Sequence, residues 1–528
     1  MSSEQKTTYT TIGSSPGFDR AFEAALETVR ASFPRTRPST IGAASTQSSE
    51  KIVVRSPIDR RVVLGEVRAA TAADTARAIG LAQAAFPAWR RRPWPQRVAL
   101  LRRAADELAR RKYELGALMA WECGKTRIEA MAEVEESADL IRYYCALLEE
   151  NDGFRRPLQR LAPDEATESV LRPYGAWGVI SPFNFPLALA AGMASAALVT
   201  GNTVVFKPSS DAPLCGYELF QALRAGGVPD DALHFVAGSG AAVGAALLSD
   251  ARVQGIAFTG SYDVGMRVRR DFAREYPKPV VIEMGGKNPA IVTASADLDA
   301  AAEGVVRSAF GYGGQKCSAC SRVYVERAVL DEFLLKLLER SAAITVGNPL
   351  EREVFLGPLI HARALEQYRG HVEELRASGA EILLGGGVRT DGDLRHGFYA
   401  EPTVVRCDDE ENELFYQELF APILLVAAVD GLDQALALSN RARYGLTAGL
   451  FSTDQDEVAR FLDEIEAGVT YVNRRAGATT GAWPGVNPFG GWKASGSTGP
   501  AALGPHYLHK FLREQSRTVN PVRATRSK

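Results

Sequence analysis

Ala176-Trp177-Gly178-Val179-Ile180-Ser181-Pro182-Phe183-Asn184-Phe185-Pro186 opens the pattern that sets the fold class. The apolar run Trp177-Gly178-Val179-Ile180 has strand length, and a turn holding one amide side chain between two prolines stops it. Residues 187–200 carry no charge and are closed by Gly201-Asn202, a run too short to span a membrane that reads as a buried helix. Thr203-Val204-Val205-Phe206 is the next strand, ending at Lys207-Pro208-Ser209-Ser210. Strand, turn, helix, strand is the order of a doubly wound parallel sheet, whose ligands bind beyond the carboxyl ends of the strands. Asn184 and Lys207 both fall at that edge. Each has a plain alternative: Asn184 as a helix cap, Lys207 as an exposed turn residue.

The pattern continues downstream. His234-Phe235-Val236-Ala237 enters Gly238-Ser239-Gly240-Ala241-Ala242-Val243-Gly244, and Gly255-Ile256-Ala257-Phe258 enters Thr259-Gly260-Ser261. Small-residue turns after strands let backbone amides come close to a pyrophosphate, so Gly240 and Gly244 point to a dinucleotide, although their spacing is one residue longer than the usual fingerprint. In Val280-Val281-Ile282-Glu283-Met284-Gly285-Gly286-Lys287-Asn288-Pro289 a carboxylate ends an apolar strand. Desolvation there raises its pKa towards neutrality, where it serves as a base for water; the alternatives are a turn cap or a lysine partner.

Gly311-Tyr312-Gly313-Gly314-Gln315-Lys316-Cys317-Ser318-Ala319-Cys320-Ser321-Arg322 sets a thiol among small residues, with Lys316 beside it to favour the nucleophilic thiolate; the plain alternative is a buried, inert cysteine on a Gly-rich turn. Cys317 and Cys320 form a C-x-x-C, but no second pair supports a metal site and no small redox domain surrounds it. His506 and His509 lack a carboxylate partner and read as surface or packing residues, so no metal site is expected.

Upstream the chain reads as scaffold. Residues before about Pro57 promise little chemistry, and residues 42–49 read as a polar loop or linker. Thr71 and Asp74 suggest a capping box for an Ala-rich helix running towards Phe86 and Trp89. A second helix is expected from about Gln96, with Val98, Leu101, Ala105 and Leu108 on its packed face. At 528 residues two or three domains are expected. Lys and Arg number 61 against 63 Asp and Glu, with no long basic block, which argues against nucleic acid or an anionic membrane as partner. Six scattered cysteines and a polar start without a leader-like apolar run point to the cytoplasm.

Ser181-Pro182-Phe183-Asn184-Phe185-Pro186, Phe206-Lys207-Pro208, Phe258-Thr259-Gly260-Ser261, Ile282-Glu283-Met284-Gly285-Gly286-Lys287-Asn288-Pro289, Gly314-Gln315-Lys316-Cys317 and Pro488-Phe489-Gly490-Gly491 together resemble the aldehyde dehydrogenase superfamily, in its order and over most of the chain after Pro57. Glu283 and Cys317 lie 34 positions apart, as in that family. The resemblance implies an α/β fold with a Rossmann-type cofactor domain, an α/β catalytic domain and a small oligomerisation element. The expected limits are an N-terminal extension at 1–50, an NAD(P)-binding domain at 51–150 and 170–283, a catalytic domain at 284–485, and an oligomerisation element at 151–169 and 510–528. A homo-oligomer, dimer or higher, is implied as well. Cys317 takes the place of the nucleophile, Asn184 that of the oxyanion donor and Glu283 that of the base that activates water. The cofactor set implied is Ile180, Ser181, Pro182, Lys207, Ser210, Gly240, Gly244, Phe258, Thr259, Gly260, Ser261, Met284, Gly285, Glu418 and Phe420, with Ala421 in place of a usual glycine. NAD is the expected cofactor. Many NAD-preferring relatives carry Glu where this chain has Ser210, and without a carboxylate to repel a 2′-phosphate NADP is also admitted.

Within the superfamily, Gly314-Gln315-Lys316-Cys317-Ser318-Ala319-Cys320-Ser321-Arg322, Asn473-Arg474-Arg475-Ala476-Gly477-Ala478 and Gly504-Pro505-His506-Tyr507-Leu508 resemble the branch that oxidises L-glutamate γ-semialdehyde (1-pyrroline-5-carboxylate) in proline degradation. That resemblance implies that Ser318, Gly477 and Ala478 hold the substrate's α-carboxylate, with Phe489 beside the aldehyde. The segment 479–487 departs from those relatives and bears on the pocket. Competing readings are an aldehyde dehydrogenase for another semialdehyde or polar aldehyde, and an inactive binding relative. The retained Cys317, Glu283 and Asn184 argue against the second.

Overall fold

In the computed structural model, residues 6–11 and 13–520 are described; the polar start at 1–5 and the last part of the expected oligomerisation element, 521–528, lie outside them. The first sheet runs in the order Val280–Glu283, Val253–Thr259, Ala176–Ile180, Thr203–Lys207, Leu233–Phe235, Thr40–Ile41, Ala44–Ser45. Its first five strands are parallel and the last two antiparallel. Parallel strands need helical crossovers that cover both faces, which is why Thr203–Lys207 is buried along its whole length. The crossover Ala188–Val199 is buried nearly all round, as its uncharged sequence requires. The chain steps outward from Ala176–Ile180 in one direction, then returns to place Val253–Thr259 on the other side. That reversal opens a crevice at the strand ends carrying Ile180 and Thr259.

Within residues 42–49, read as a loop, Ala44–Ser45 forms a short strand while the remainder is turn and irregular chain. Gly42, at φ 62°, turns Thr40–Ile41 back onto Ala44–Ser45, and its amide donates to His234 Nδ1 at 2.9 Å. This ribbon pairs through backbone groups and needs no apolar side chains, so composition does not reveal it. The capping box is present: Thr71 Oγ1 accepts from the Asp74 amide at 3.0 Å, and Asp74 Oδ2 accepts from the Thr71 amide at 3.1 Å. The next helix starts at Trp94, two residues before the expected Gln96, because Pro95 suits a first turn that lacks intrahelical donors.

The second sheet runs Glu381–Leu384, Thr403–Arg406, Ile423–Val429, Cys320–Glu326, Asn288–Val292, Thr447–Phe451, Val469–Val472, parallel except at its first pair. A third sheet, separate from both, joins Leu512–Val519, Ala166–Pro173 and Arg155–Pro157 antiparallel. At the N-terminus, helix Pro16–Ala31 buries Phe18, Phe22 and Val29 and packs against Lys112–Cys123. Among the described residues no helix is long and apolar enough to cross a membrane.

Candidate active site

Two cavities meet at Cys317. The larger, about 1520 Å³, lies beyond the strand ends of the first sheet; the smaller, about 380 Å³, is walled by the 480–482 segment, Phe489 and part of the N-terminus. Cys317 lines both.

The thiol is presented by the short link between helix Leu298–Phe310 and strand Cys320–Glu326. Tyr312, Gly313 and Gly314 all take positive φ there, at 52°, 63° and 67°, and a Cβ on Gly314 would collide with the Ala421 carbonyl. Buried Gln315 anchors the link by donating to Tyr312 O at 3.2 Å and accepting from the Ile360 amide at 2.9 Å. Asn288 Nδ2 donates to Cys317 O at 2.8 Å and to Ala319 O at 2.9 Å. Burial, and then the carboxyls of Glu418 and Glu283, push the Cys317 thiol up to about 12. The expectation that Lys316 favours the thiolate is therefore corrected. Lys316 Nζ points to Glu129, 2.8 Å away, so its charge is neutralised by that partner. Cys320 is buried at the start of its strand as a packing residue.

Asn184 is buried and its Nδ2 donates to Gln315 O at 3.0 Å, which ties it to the link carrying the thiol. The amide nitrogen carries a second hydrogen, available to a ligand in the larger cavity that Asn184 lines. The cap alternative fails. It is Glu133 Oε1 that accepts from the amides of Leu187 and Ala188, at 2.8 and 3.1 Å. Lys207 is not an exposed turn residue either. It is 7% exposed, burial pulls its amine down to about 8, and Nζ donates to Pro208 O at 3.1 Å.

Glu283 ends strand Val280–Glu283 but lines neither cavity. Its Oε2 accepts from the Gly491 amide at 3.1 Å, while Oε1 is buried without a partner among the described residues. Burial raises its carboxyl to about 7, against the opposing cation of Lys510 and the Gly491 hydrogen bond. Glu418 is raised to about 7 by burial as well, and its Oε1 accepts from the Gly286 amide at 3.0 Å. A Cβ at Gly285 would collide with the Glu418 carboxylate, so a larger residue there would displace that group from its place in the cavity wall.

All fifteen residues expected to hold the cofactor line the larger cavity, from Ile180, Ser181 and Pro182 through Lys207, Ser210, Gly240, Gly244, Phe258, Thr259, Gly260 and Ser261 to Met284, Gly285, Glu418 and Phe420. They fit a dinucleotide. A Cβ at Gly240 or Gly244 would meet open space, and Ser261 stands at the N-cap position of helix Tyr262–Asp271 with no side-chain capping bond, leaving the first-turn donors turned to the cavity. Phe420, at φ 53°, stands edge-on to Phe183 with ring centres 6.0 Å apart. Ser210 Oγ donates to Gly238 O at 3.3 Å. Beside it Asp211 also lines the cavity and acts electrostatically on Lys207. The sequence reading weighed only position 210 and missed this carboxylate one residue on.

Ser318 and Phe489 line the smaller cavity; Gly477 and Ala478 do not, and that assignment is corrected. The Gly477 amide donates to Arg474 O at 3.2 Å and the Ala478 amide to Gly304 O at 3.0 Å, so neither is free for a ligand. The pair at the cavity is Gly481 and Ala482, with Gly481 at φ 95°, and neither amide donates to a protein acceptor among the described residues. The stretch before Pro488 holds two Gly-Ala pairs four positions apart, which sequence alone does not tell apart. The expectation of little chemistry before Pro57 is corrected too, since Tyr9, Thr11, Gly13 and Ser14 line this cavity.

A model of the aldehyde dehydrogenase family matches residues 44–517. The chain is 38% identical over 509 residues to a 1-pyrroline-5-carboxylate dehydrogenase of Anoxybacillus flavithermus, covering 95% of this chain and 96% of that one. It superposes on the crystal structure of 1-pyrroline-5-carboxylate dehydrogenase from Thermus with bound NAD, with a TM-score of 0.92 and 34% identity, covering 98% of this chain and 100% of that one. Proline utilization A from Bdellovibrio bacteriovorus, inactivated by N-propargylglycine, matches with a TM-score of 0.91 and 34% identity over 96% of this chain; the chain spans 52% of that longer protein.

Proposed function

The chain belongs to the aldehyde dehydrogenase family, and from that premise we propose that it oxidises L-glutamate γ-semialdehyde, the open form of 1-pyrroline-5-carboxylate, to L-glutamate with NAD, as a step of proline degradation. The observation that carries the substrate is the smaller cavity. It joins Cys317 to the Ser318 side chain and the two unengaged amides of Gly481 and Ala482, a set of donors shaped for a carboxylate. An aldehyde with an apolar tail would leave those donors without a carboxylate to pair with, which weakens its binding.

The chain's own groups account for the rest of the reaction. Cys317 Sγ, once deprotonated, forms a bond to the aldehyde carbon. The carbonyl oxygen takes up negative charge within reach of the free Asn184 amide hydrogen and the Cys317 backbone amide, which already faces the thiol. NAD, when bound, supplies the hydride acceptor; Lys207, Ser261, Glu418 and Phe420 are the residues we assign to holding it. The resulting acyl group stays on Sγ as a thioester. Glu283 takes a proton from the water that cleaves it, releasing the carboxylic acid and restoring the thiol.

Comparing glutamate γ-semialdehyde with succinic semialdehyde and simple aliphatic aldehydes tests the substrate; turnover of the others without the first removes the reading. Ser318→Ala should raise KM for glutamate γ-semialdehyde about 10-fold while leaving that for butanal within about 2-fold, because only the first carries the carboxylate. Equal effects on both would detach Ser318 from substrate recognition. For the cofactor, Ser210→Glu should lower kcat/KM with NADP at least ~10-fold and leave NAD use nearly intact, since like charge then opposes the 2′-phosphate. Unchanged NADP use would place the ribose elsewhere.

The domain limits stated above are part of this proposal, with residues 40–45 moved to the domain of the first sheet and residues 170–173 to the third sheet. We assign assembly into a homo-oligomer to the third sheet, around which Leu158, Leu161 and Val519 are exposed. Six free cysteines, with the thiols of Cys123 and Cys215 close together yet unbonded, suit the cytoplasm.

A further inference from the structure

The N-terminal segment forms a wall of the smaller cavity, and its fastenings run to the same elements that carry the substrate donors. The Tyr9 ring stands edge-on to Phe185 at 5.8 Å between ring centres and to Trp483 at 5.9 Å. Phe185 follows Asn184 in the oxyanion turn, and Trp483 follows the Gly481-Ala482 pair. The Tyr9 hydroxyl donates to buried Glu136, which lines the cavity with it. Asp139, one helical turn on, receives Lys6 Nζ at 2.6 Å and Trp483 Nε1 at 3.0 Å on the same oxygen, so one carboxylate pins both the N-terminal segment and the 479–487 loop to helix Arg127–Glu150. Further along, the Thr11 amide donates to Thr8 O at 3.0 Å, and Ser14 Oγ donates to both carboxylate oxygens of Asp19 at 2.8 and 2.9 Å. The segment is thus held at both ends with Tyr9 facing inward.

We infer that Tyr9 is a specificity-determining residue: its ring, wedged between Phe185 and Trp483, sets the length of aldehyde that can reach Cys317. The inference deepens the function proposed above and rests on it for the smaller cavity being the aldehyde site. An aromatic ring held on two sides by other rings and at its hydroxyl by a buried carboxyl is a rigid stop. A rigid stop discriminates by volume, and removing or enlarging it moves the preferred substrate length in opposite directions.

The test uses the full-length protein and its Tyr9→Ala and Tyr9→Trp variants, with kcat and KM measured on glutamate γ-semialdehyde and on straight-chain aldehydes from propanal to octanal. Tyr9→Ala should raise kcat/KM for the longest aldehydes relative to propanal by ~10-fold, mainly through KM, and raise KM for the semialdehyde. Tyr9→Trp should shift the preference towards the shortest. A Tyr9→Ala protein that keeps the wild-type order of chain lengths, or that loses kcat equally on every aldehyde, overturns the inference, as does a Tyr9→Trp protein with no loss on long chains should the alanine variant fail to fold. If the wild type rejects the semialdehyde while the chain-length shift appears, the substrate proposal falls and the role of Tyr9 stands.

Discussion

Cys317→Ala yields a folded protein that still binds NAD but turns over aldehyde about 10⁴-fold more slowly or worse, the scale on which losing a covalent nucleophile acts. Alanine removes only Sγ. The anchors of the link, through Gln315 and through Asn288 to the Cys317 carbonyl, use backbone and neighbouring groups and are left intact. No other thiol replaces it, since Cys320, Cys123 and Cys215 are all buried and none of them lines either cavity. The thiol of the free enzyme is held up at about 12 by burial and by the Glu418 and Glu283 carboxyls, so alkylation by iodoacetamide at pH 7 should be slow and should rise with pH well above neutrality. Steady-state turnover together with NAD binding by fluorescence checks the variant. Activity within 10-fold of wild type would displace Cys317 from the chemistry.

The elevated thiol pKa marks what a sequence can and cannot carry. Strands such as Thr203–Lys207 and Val253–Thr259 are legible because burial on both faces demands continuous apolar runs, and helix Ala188–Val199, ahead of the first of them, because it has no charge. Three of the turns that line the larger cavity, after Ile180, Lys207 and Thr259, are legible for the same reason, since each follows directly on a strand. What fails depends on where side chains point or which backbone amides are engaged. Lys316 is adjacent to Cys317 in sequence yet bonded to Glu129, and Gly477-Ala478 looks like Gly481-Ala482 until their hydrogen bonds are traced. Thr40–Ile41 and the Tyr9 segment reach their places through pairings some two hundred and some four hundred and seventy residues away in the chain, which no local pattern records.

Glu283→Gln should separate the two halves of the reaction. With Cys317 and Asn184 untouched, acylation and hydride release proceed, and a burst of about one NADH per active site should appear within the first turnover. Glutamine cannot accept the proton of water, so steady-state turnover should fall by roughly 10²–10⁴-fold, the range general-base catalysis supplies. The amide preserves the side chain's shape, and its oxygen can still accept from the Gly491 amide, so the fold should be unaffected. The sign of the pH dependence follows from burial. The Glu283 carboxyl is raised from its ordinary 4.5 to about 7, so it is mostly protonated and inactive as a base below that value and ionised above it. Wild-type turnover limited by thioester hydrolysis should therefore rise as pH climbs through about 7, and the rise should vanish in the glutamine variant. Because Oε2 rests on Gly491 and the side chain lines neither cavity, the carboxylate must swing from that amide to reach the thioester water. That movement loosens a single charge-assisted hydrogen bond, a cost of about 1.5–3 kcal/mol, small beside the barrier it lowers. A glutamine variant with no burst, or with the wild-type inflection near pH 7, would assign the base to another group, and Glu418, also raised to about 7 and lining the larger cavity with Cys317, would be the next to test.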